Sequence, residues 1–218
     1  MTSPTPAPRD DVPTYAGERV KAFADAVVAI AMTLLILPLM ESIADVAASD
    51  LSAEHWFAEH QQQLVSFVIS FVIIAMFWVN HHRMFAPVHR VTNVLIWIVV
   101  AWLLSIVWLP VATAMSGQMD ADDPLVKTVY IGSMILASLL TLAQRLYLRR
   151  HLDLGDLDRT ELTRGVAVDL AMSTLFAIAL VVAVAVPAVG YWALFVMWLM
   201  GPAQLLFRRM LGVRESRR

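Results

Sequence analysis

The sequence predicts an all-α membrane protein with six transmembrane helices, and three observations carry that prediction. Of the 218 residues 59% are hydrophobic and only 16% charged, with a mean hydropathy of +0.68. Apolar runs of roughly 20 residues, the length that crosses about 30 Å of hydrocarbon, follow one another along the chain. Basic residues collect in alternate connections between those runs, as they do in loops retained on the cytoplasmic side. Spans consume nearly the whole chain, which leaves no room for a separate soluble catalytic domain. With no cysteine, neither disulfides nor thiolate metal or redox chemistry is available.

Residues 1–14, rich in Pro, Thr and Ser, are expected to form a disordered cytoplasmic tail. The apolar windows fall at 20–40, 63–85, 92–113, 125–148, 165–186 and 190–211. Pro38, Pro110 and Pro187 lie near one end of the first, third and fifth windows, and Pro124 opens the fourth, positions where proline is tolerated. The amphipathic segment 51–62 is expected to form a short helix on the outer surface. The membrane domain is thus placed at 15–213, followed by a basic cytoplasmic tail at 214–218.

Charge tests the span count independently. Fifteen of the 16 basic residues lie in the N-terminal segment, around 83–90, around 145–164 or from 208 onward; only Lys127 falls on the other side. Both termini are therefore expected in the cytoplasm, with the protein multi-pass in the cell membrane. The opposite side carries Glu41, Asp45, Asp50, Glu54, Glu59, Asp120, Asp122 and Asp123 against that single lysine. Such a surface concentrates cations and repels anions, although excluding bases from outer loops produces the same excess of acids.

The first span holds the most informative residues. Asp25 lies within an apolar helix, where an ionised carboxylate is costly unless paired or hydrated. Ile30, Thr33, Leu34 and Leu37 occupy i, i+3, i+4 and i+7 and share one face. At about 100° per residue Asp25 points roughly 140° away from Ile30. If the Ile30 face looks into a pore, Asp25 looks into the protein and needs partners on neighbouring helices, with Lys21 the nearest local candidate. By itself, a Leu/Ile stripe on a membrane helix reads as packing or lipid contact.

The run Arg19, Phe23, Ala24, Asp25 resembles the Arg-x-x-x-Phe-Ser-Asp signature of the transmembrane protein 175 family, the endosomal and lysosomal potassium channels and their prokaryotic relatives. Ala24 replaces the family's serine. The continuation at residues 29–37 and the Trp78-Val79-Asn80-His81-His82-Arg83 end of the second span also resemble the family. The resemblance implies a homotetramer whose first helices surround a central pore, with potassium as the permeant ion, no cofactor, and no enzymatic activity. It implies an apolar gate at Ile30, Leu34 and Leu37, and a contribution to selectivity from Thr33. It further implies a structural polar network of Arg19, Phe23, Asp25, Trp78, His81, His82 and Asn93, in which Asp25 bonds to His81 or His82, Trp78 and Asn93. The implied partners are potassium ions, the lipid bilayer and further copies of the chain, with no nucleic acid.

The alternative reading is a proton-coupled secondary transporter using Asp25, with Asp169 as a second carboxylate. An intramembrane enzyme lacks its usual signatures, for there is no His-Glu-x-x-His and no Gly-x-Ser-x-Gly. His81 and His82 alone make no metal site, because adjacent helical residues diverge by about 100°. Asp169 is expected to be a snorkelling or inter-helix partner near Arg164, without an assigned function. Ser66, Ser70, Ser105 and Ser173 are read as helix-packing hydroxyls.

Overall fold

A computed structural model of the protein describes residues 14–47, 52–120, 123–186, 193–194 and 196–212. The chain opens with a short strand β1 (Thr14–Ala16) and enters α1 (Gly17–Leu34) and α2 (Leu37–Ala47). After a surface helix α3 (Ala53–Glu59) come α4 (Gln61–Phe85), strand β2 (Arg90–Thr92), α5 (Asn93–Gln118), α6 (Pro124–Arg150), α7 (Arg159–Ala185) and α8 (Met200–Met210). Helix starts are set by side-chain caps: Thr92, Asp123 and Asp158 accept from the backbone N–H of Leu95, Leu125 and Thr160.

Among the described residues five helices are long and apolar enough to cross a membrane: Gly17–Ile43, Gln61–Phe85, Asn93–Gln118, Pro124–Arg150 and Arg159–Ala185. Of the sixth window, 190–192 and 195 lie outside the described residues, as do 1–13 and the tail at 213–218. Its described portion contains α8, 11 residues long and packed on α7.

The first span is not one continuous helix. It turns at Leu35–Ile36, and Pro38 causes the break, because its ring displaces the carbonyl of Leu34 and it has no N–H to donate there. Pro38 therefore sits inside the span and not at its end, and Pro110 is likewise interior to α5. The helix resumes because Met40 N–H reaches the Ile36 carbonyl at 3.0 Å. At this end of the bundle, α3 folds back so that the buried Trp56 donates its indole N–H to Ser42 Oγ at 3.1 Å.

Helix α5 is the hub, packing against α1, α4 and α6, while α6 packs on α7. Ala24, Val28 and Ala31 form the inward face of α1 and meet a core that includes Phe77, Trp102, Ile106, Tyr130 and Met134. Lipid tails are as apolar as leucine, so close packing and inter-helix hydrogen bonds must hold such helices together. Here Ser70 Oγ is 2.7 Å from both Tyr130 Oη and Thr113 Oγ1, linking α4, α5 and α6, and Ser138 and Ser173 meet at 2.9 Å between α6 and α7.

The opposite end is tied by backbone. β1 pairs antiparallel with β2, so α1 and α5 start side by side; Thr14, the last residue of the expected tail, already pairs with Thr92. The α4–α5 connection is bonded on both flanks: Gly17 N–H donates to the His89 carbonyl at 2.8 Å, and His89 N–H to the Leu154 carbonyl at 2.9 Å. Both glycines that touch this connection are dictated by space. A Cβ on Gly17 would lie 2.9 Å from the Val88 carbonyl oxygen, and one on Gly155 would strike the Pro87 carbonyl.

Candidate functional site

The outward face of α1 is the first element of the site. Ile30 is 58% exposed, Leu34 37% and Leu37 48%, and Thr33 is exposed with them. Thr33 Oγ1 donates to its own helix, at 2.7 Å from the Ile30 carbonyl. Within one subunit these side chains are only partly covered, whereas the opposite face of α1, at Ala24, Val28 and Ala31, is fully buried against the rest of the bundle. The turn at Leu35–Ile36 separates Leu37 from the others, so the simple i+7 relation to Ile30 holds only up to Leu34.

Asp25 faces α4. Trp78 donates its indole N–H to Asp25 Oδ1 at 2.8 Å, and His82 Nδ1 lies 3.9 Å from the same oxygen. His82 in turn packs on the Trp78 ring. The remaining residues expected in this network are placed elsewhere. His81 points the other way, buried and stacked on Trp102 with ring centroids 4.2 Å apart, because adjacent positions on α4 face different neighbours. Asn93 is exposed at the first turn of α5 and makes no bond to Asp25. Lys21 does not reach Asp25 either; its ammonium donates to Glu18 Oε1 at 2.9 Å and to the Ala86 carbonyl at 3.1 Å. Arg19 and Phe23 are exposed and line a groove against α5. Ala24 is buried in the helix interface, so a serine hydroxyl there would face the core.

Asp169, expected as an inter-helix partner near Arg164, instead pairs with Arg145 and Asn80. Asp169 and Arg145, 1% and 6% exposed, form an ion pair between α7 and α6, with Arg145 Nε 2.5 Å from Asp169 Oδ2. Asn80 of α4 closes the triad, donating to Asp169 Oδ1 at 2.9 Å and accepting from Arg145 Nη2 at 2.8 Å. Gly165 makes the room, since a Cβ there would fall on the Arg145 guanidinium. Arg145 is therefore a buried partner of Asp169 and not one of the solvated bases of the α6–α7 connection. The signal in sequence was Asp169 itself, an intramembrane carboxylate whose partner had to be sought on another helix. Among the described residues no group of three or more His, Asp or Glu could hold a metal ion.

Residues 19–110, which contain most of α1, all of α4 and most of α5, match the family model described as endosomal/lysosomal potassium channel TMEM175. Over these residues the chain is similar to the TMEM175 family. A potassium channel of Streptomyces collinus is 36% identical over 107 residues, which is 48% of this chain and 50% of that protein. The endosomal/lysosomal proton channel TMEM175 of Rattus norvegicus is 28% identical over 107 residues, 47% of this chain and 20% of that protein. The matches to these relatives thus span half of the first and a fifth of the second. Among solved structures, the crystal structure of a lysosomal potassium-selective channel TMEM175 homolog from Chamaesiphon minutus superposes with a TM-score of 0.62 at 20% identity, covering 90% of this chain and 98% of that one. At that identity the likeness establishes a shared fold. The family-matched stretch contains Asp25, Trp78 and His82, while Arg145, Gly165 and Asp169 lie beyond it.

Proposed function

We propose that this protein is a potassium-permeable cation channel, assembled as a homotetramer in the cell membrane with both termini cytoplasmic. The observation that carries the reading is the face of α1 bearing Ile30, Thr33 and Leu34, which its own subunit leaves uncovered while burying the opposite face. Around a symmetry axis that face would line a pore. Ile30, Leu34 and Leu37 would form apolar rings that stop ions by dewetting, and opening would require the rings to widen or rotate. Thr33 is the hydroxyl on this face and the candidate for discriminating potassium from sodium. Trp78 and His82 would hold α1 in register through Asp25. The Pro38 break lies next to these rings, where a small change of bend displaces Leu37 relative to Leu34.

A sixth span within 190–211 completes the topology, for a physical reason. With five crossings the C-terminal arginines, Arg208 to Arg218, would lie on the acidic face with Lys127, against the distribution of all other bases.

Conduction by purified protein in a planar bilayer, with potassium on one side and sodium on the other, tests the reading. A potassium-directed reversal potential supports it. Stoichiometric proton-coupled uptake without conductance would transfer the role to the alternative, a transporter using Asp25.

A further inference from the structure

Beyond the turn at Leu35–Ile36 the first span has little packing of its own. Of the described side chains on α2, Leu39 alone is buried, while Leu37, Met40, Glu41 and Ile43 are exposed. Pro38 cannot donate to the Leu34 carbonyl, so the backbone that joins α1 to α2 lacks a rung at the break. Among the described residues, one side-chain hydrogen bond ties α2 to another element: Trp56 of α3 donates its indole N–H to Ser42 Oγ at 3.1 Å. Ser42 Oγ in turn donates to the Leu39 carbonyl at 2.9 Å, so the hydroxyl is used both as acceptor and as donor.

Trp56 is itself held from the other side. The His60 ring stacks on it with centroids 5.1 Å apart and planes at 17°, and His60 Nδ1 lies 2.9 Å from the Trp56 carbonyl oxygen. Ser52 caps the start of α3, accepting from the His55 N–H at 3.3 Å. His60 ends α3 and leads directly into α4, where Leu64 N–H reaches the His60 carbonyl at 3.0 Å. Gln62, in the first turn of α4, donates to the Ser116 carbonyl of α5 at 3.0 Å. Helix α3 is therefore an elbow built on α4 and α5, and it reaches α2 through a single indole. On this seven-residue helix Trp56 is 8% exposed and its neighbour Phe57 58%, so Trp56 is the side chain turned inward to make that contact.

We propose that Trp56 is a positioning residue: through Ser42 it sets the angle of α2 about the Pro38 break, and with it the place of Leu37. A hinge that its own backbone leaves loose is fixed by whatever holds the moving arm, and here that is the α3 elbow. The consequence for gating rests on the reading of Leu37 as pore-lining, whereas the tie itself does not, and its test reads the position of α2 without current. Leu37→Cys and, separately, Ile30→Cys are introduced into this cysteine-free chain, the full-length protein is reconstituted in liposomes, and the rate of modification by a water-soluble maleimide is measured. Trp56→Phe, which keeps a ring and deletes the donor, is expected to raise the rate at position 37 about five-fold, the population change that one net hydrogen bond controls. The rate at position 30, on the other side of the break, should stay as it is. Ser42→Ala should reproduce the effect and add nothing to Trp56→Phe, and Ser42→Thr, which keeps the hydroxyl, should retain the parent rate. The proposal is overturned if the rates at 37 and 30 rise together, which would mark a general loosening of the bundle, or if neither rises. It is equally overturned if Ser42→Ala and Trp56→Phe act additively, because the two would then not work through one bond. A faster rate confined to position 37 in a protein that passes no current would support the tie and contradict the pore reading.

Discussion

Trp78 donates its indole N–H to the Asp25 carboxylate at 2.8 Å, joining α1 to α4 by a side-chain hydrogen bond. Each partner comes from a stretch that resembles the TMEM175 family, and the bond fixes the rotation of α1 about its axis. Since the uncovered Ile30 face is defined by that rotation, the pair sets which side chains any neighbouring subunit or pore would meet.

Removing this bond should therefore loosen α1 without unfolding the bundle. Trp78→Phe keeps the ring and deletes the donor, and is expected to lower stability by about 1 kcal/mol, the typical scale of an inter-helix hydrogen bond in a membrane protein. Asp25→Ala should lower the melting temperature and, with it, recovery of the proposed tetramer. A fully stable Asp25→Ala protein with altered ion selectivity would instead put Asp25 in the permeation path. Thermal melting in detergent together with single-channel recording separates these outcomes.

The Asn80–Arg145–Asp169 triad should be the most sensitive polar site in the molecule. Asp169→Leu strands a buried guanidinium and is expected to cost about 3–5 kcal/mol, whereas Asp169→Leu with Arg145→Met removes both charges and should recover much of that loss. Asn80→Ala leaves the ion pair and should cost about 1–3 kcal/mol. A thermodynamic cycle from melting or chemical denaturation reads the coupling directly; additive single and double variants would contradict a direct pairing.

The glycines make a graded series. Gly165→Ala drives a methyl group into the Arg145 guanidinium and Gly155→Ala drives one into the Pro87 carbonyl, so each should destabilise the protein, by roughly 1–3 kcal/mol. Gly132, within α6, has nothing within 4 Å of a Cβ, and Gly132→Ala is expected to be neutral or to stabilise by up to about 1 kcal/mol through helix propensity. Comparing the melting temperatures of the three variants checks the order.

How much of this could be read in advance follows from what hydropathy and periodicity measure. Span lengths need only a count of apolar residues, so the first five windows emerged close to their helices. The first span's internal break did not, because a proline near the end of an apolar window looks terminal until helical hydrogen bonds are seen to resume at Met40. The charge rule groups Arg145 with the α6–α7 connection because it counts position along the chain, while burial depends on Gly165 leaving a cradle across the helix interface. His81 and His82 are equivalent in sequence, and only the packing of α4 distinguishes them: His81 stacks on Trp102 of α5, while His82 turns towards Asp25 of α1. The β1–β2 pairing involves three residues on each strand, too few to register above background.

If the Ile30 face of α1 lines a pore, as proposed, Ile30→Ser and Leu37→Ser should each raise resting conductance, because an apolar ring would be replaced by one that wets. Currents identical to the parent protein in both variants would remove the gate from this face of α1. Thr33→Ala should leave conduction intact and reduce discrimination between potassium and sodium.

The most direct test of the central claim is the reversal potential of purified protein in a planar bilayer between potassium and sodium solutions of equal concentration. The account predicts a current that reverses towards the potassium equilibrium potential and is altered by Ile30→Ser. A silent bilayer containing folded protein, alongside proton-driven uptake in liposomes, would contradict it.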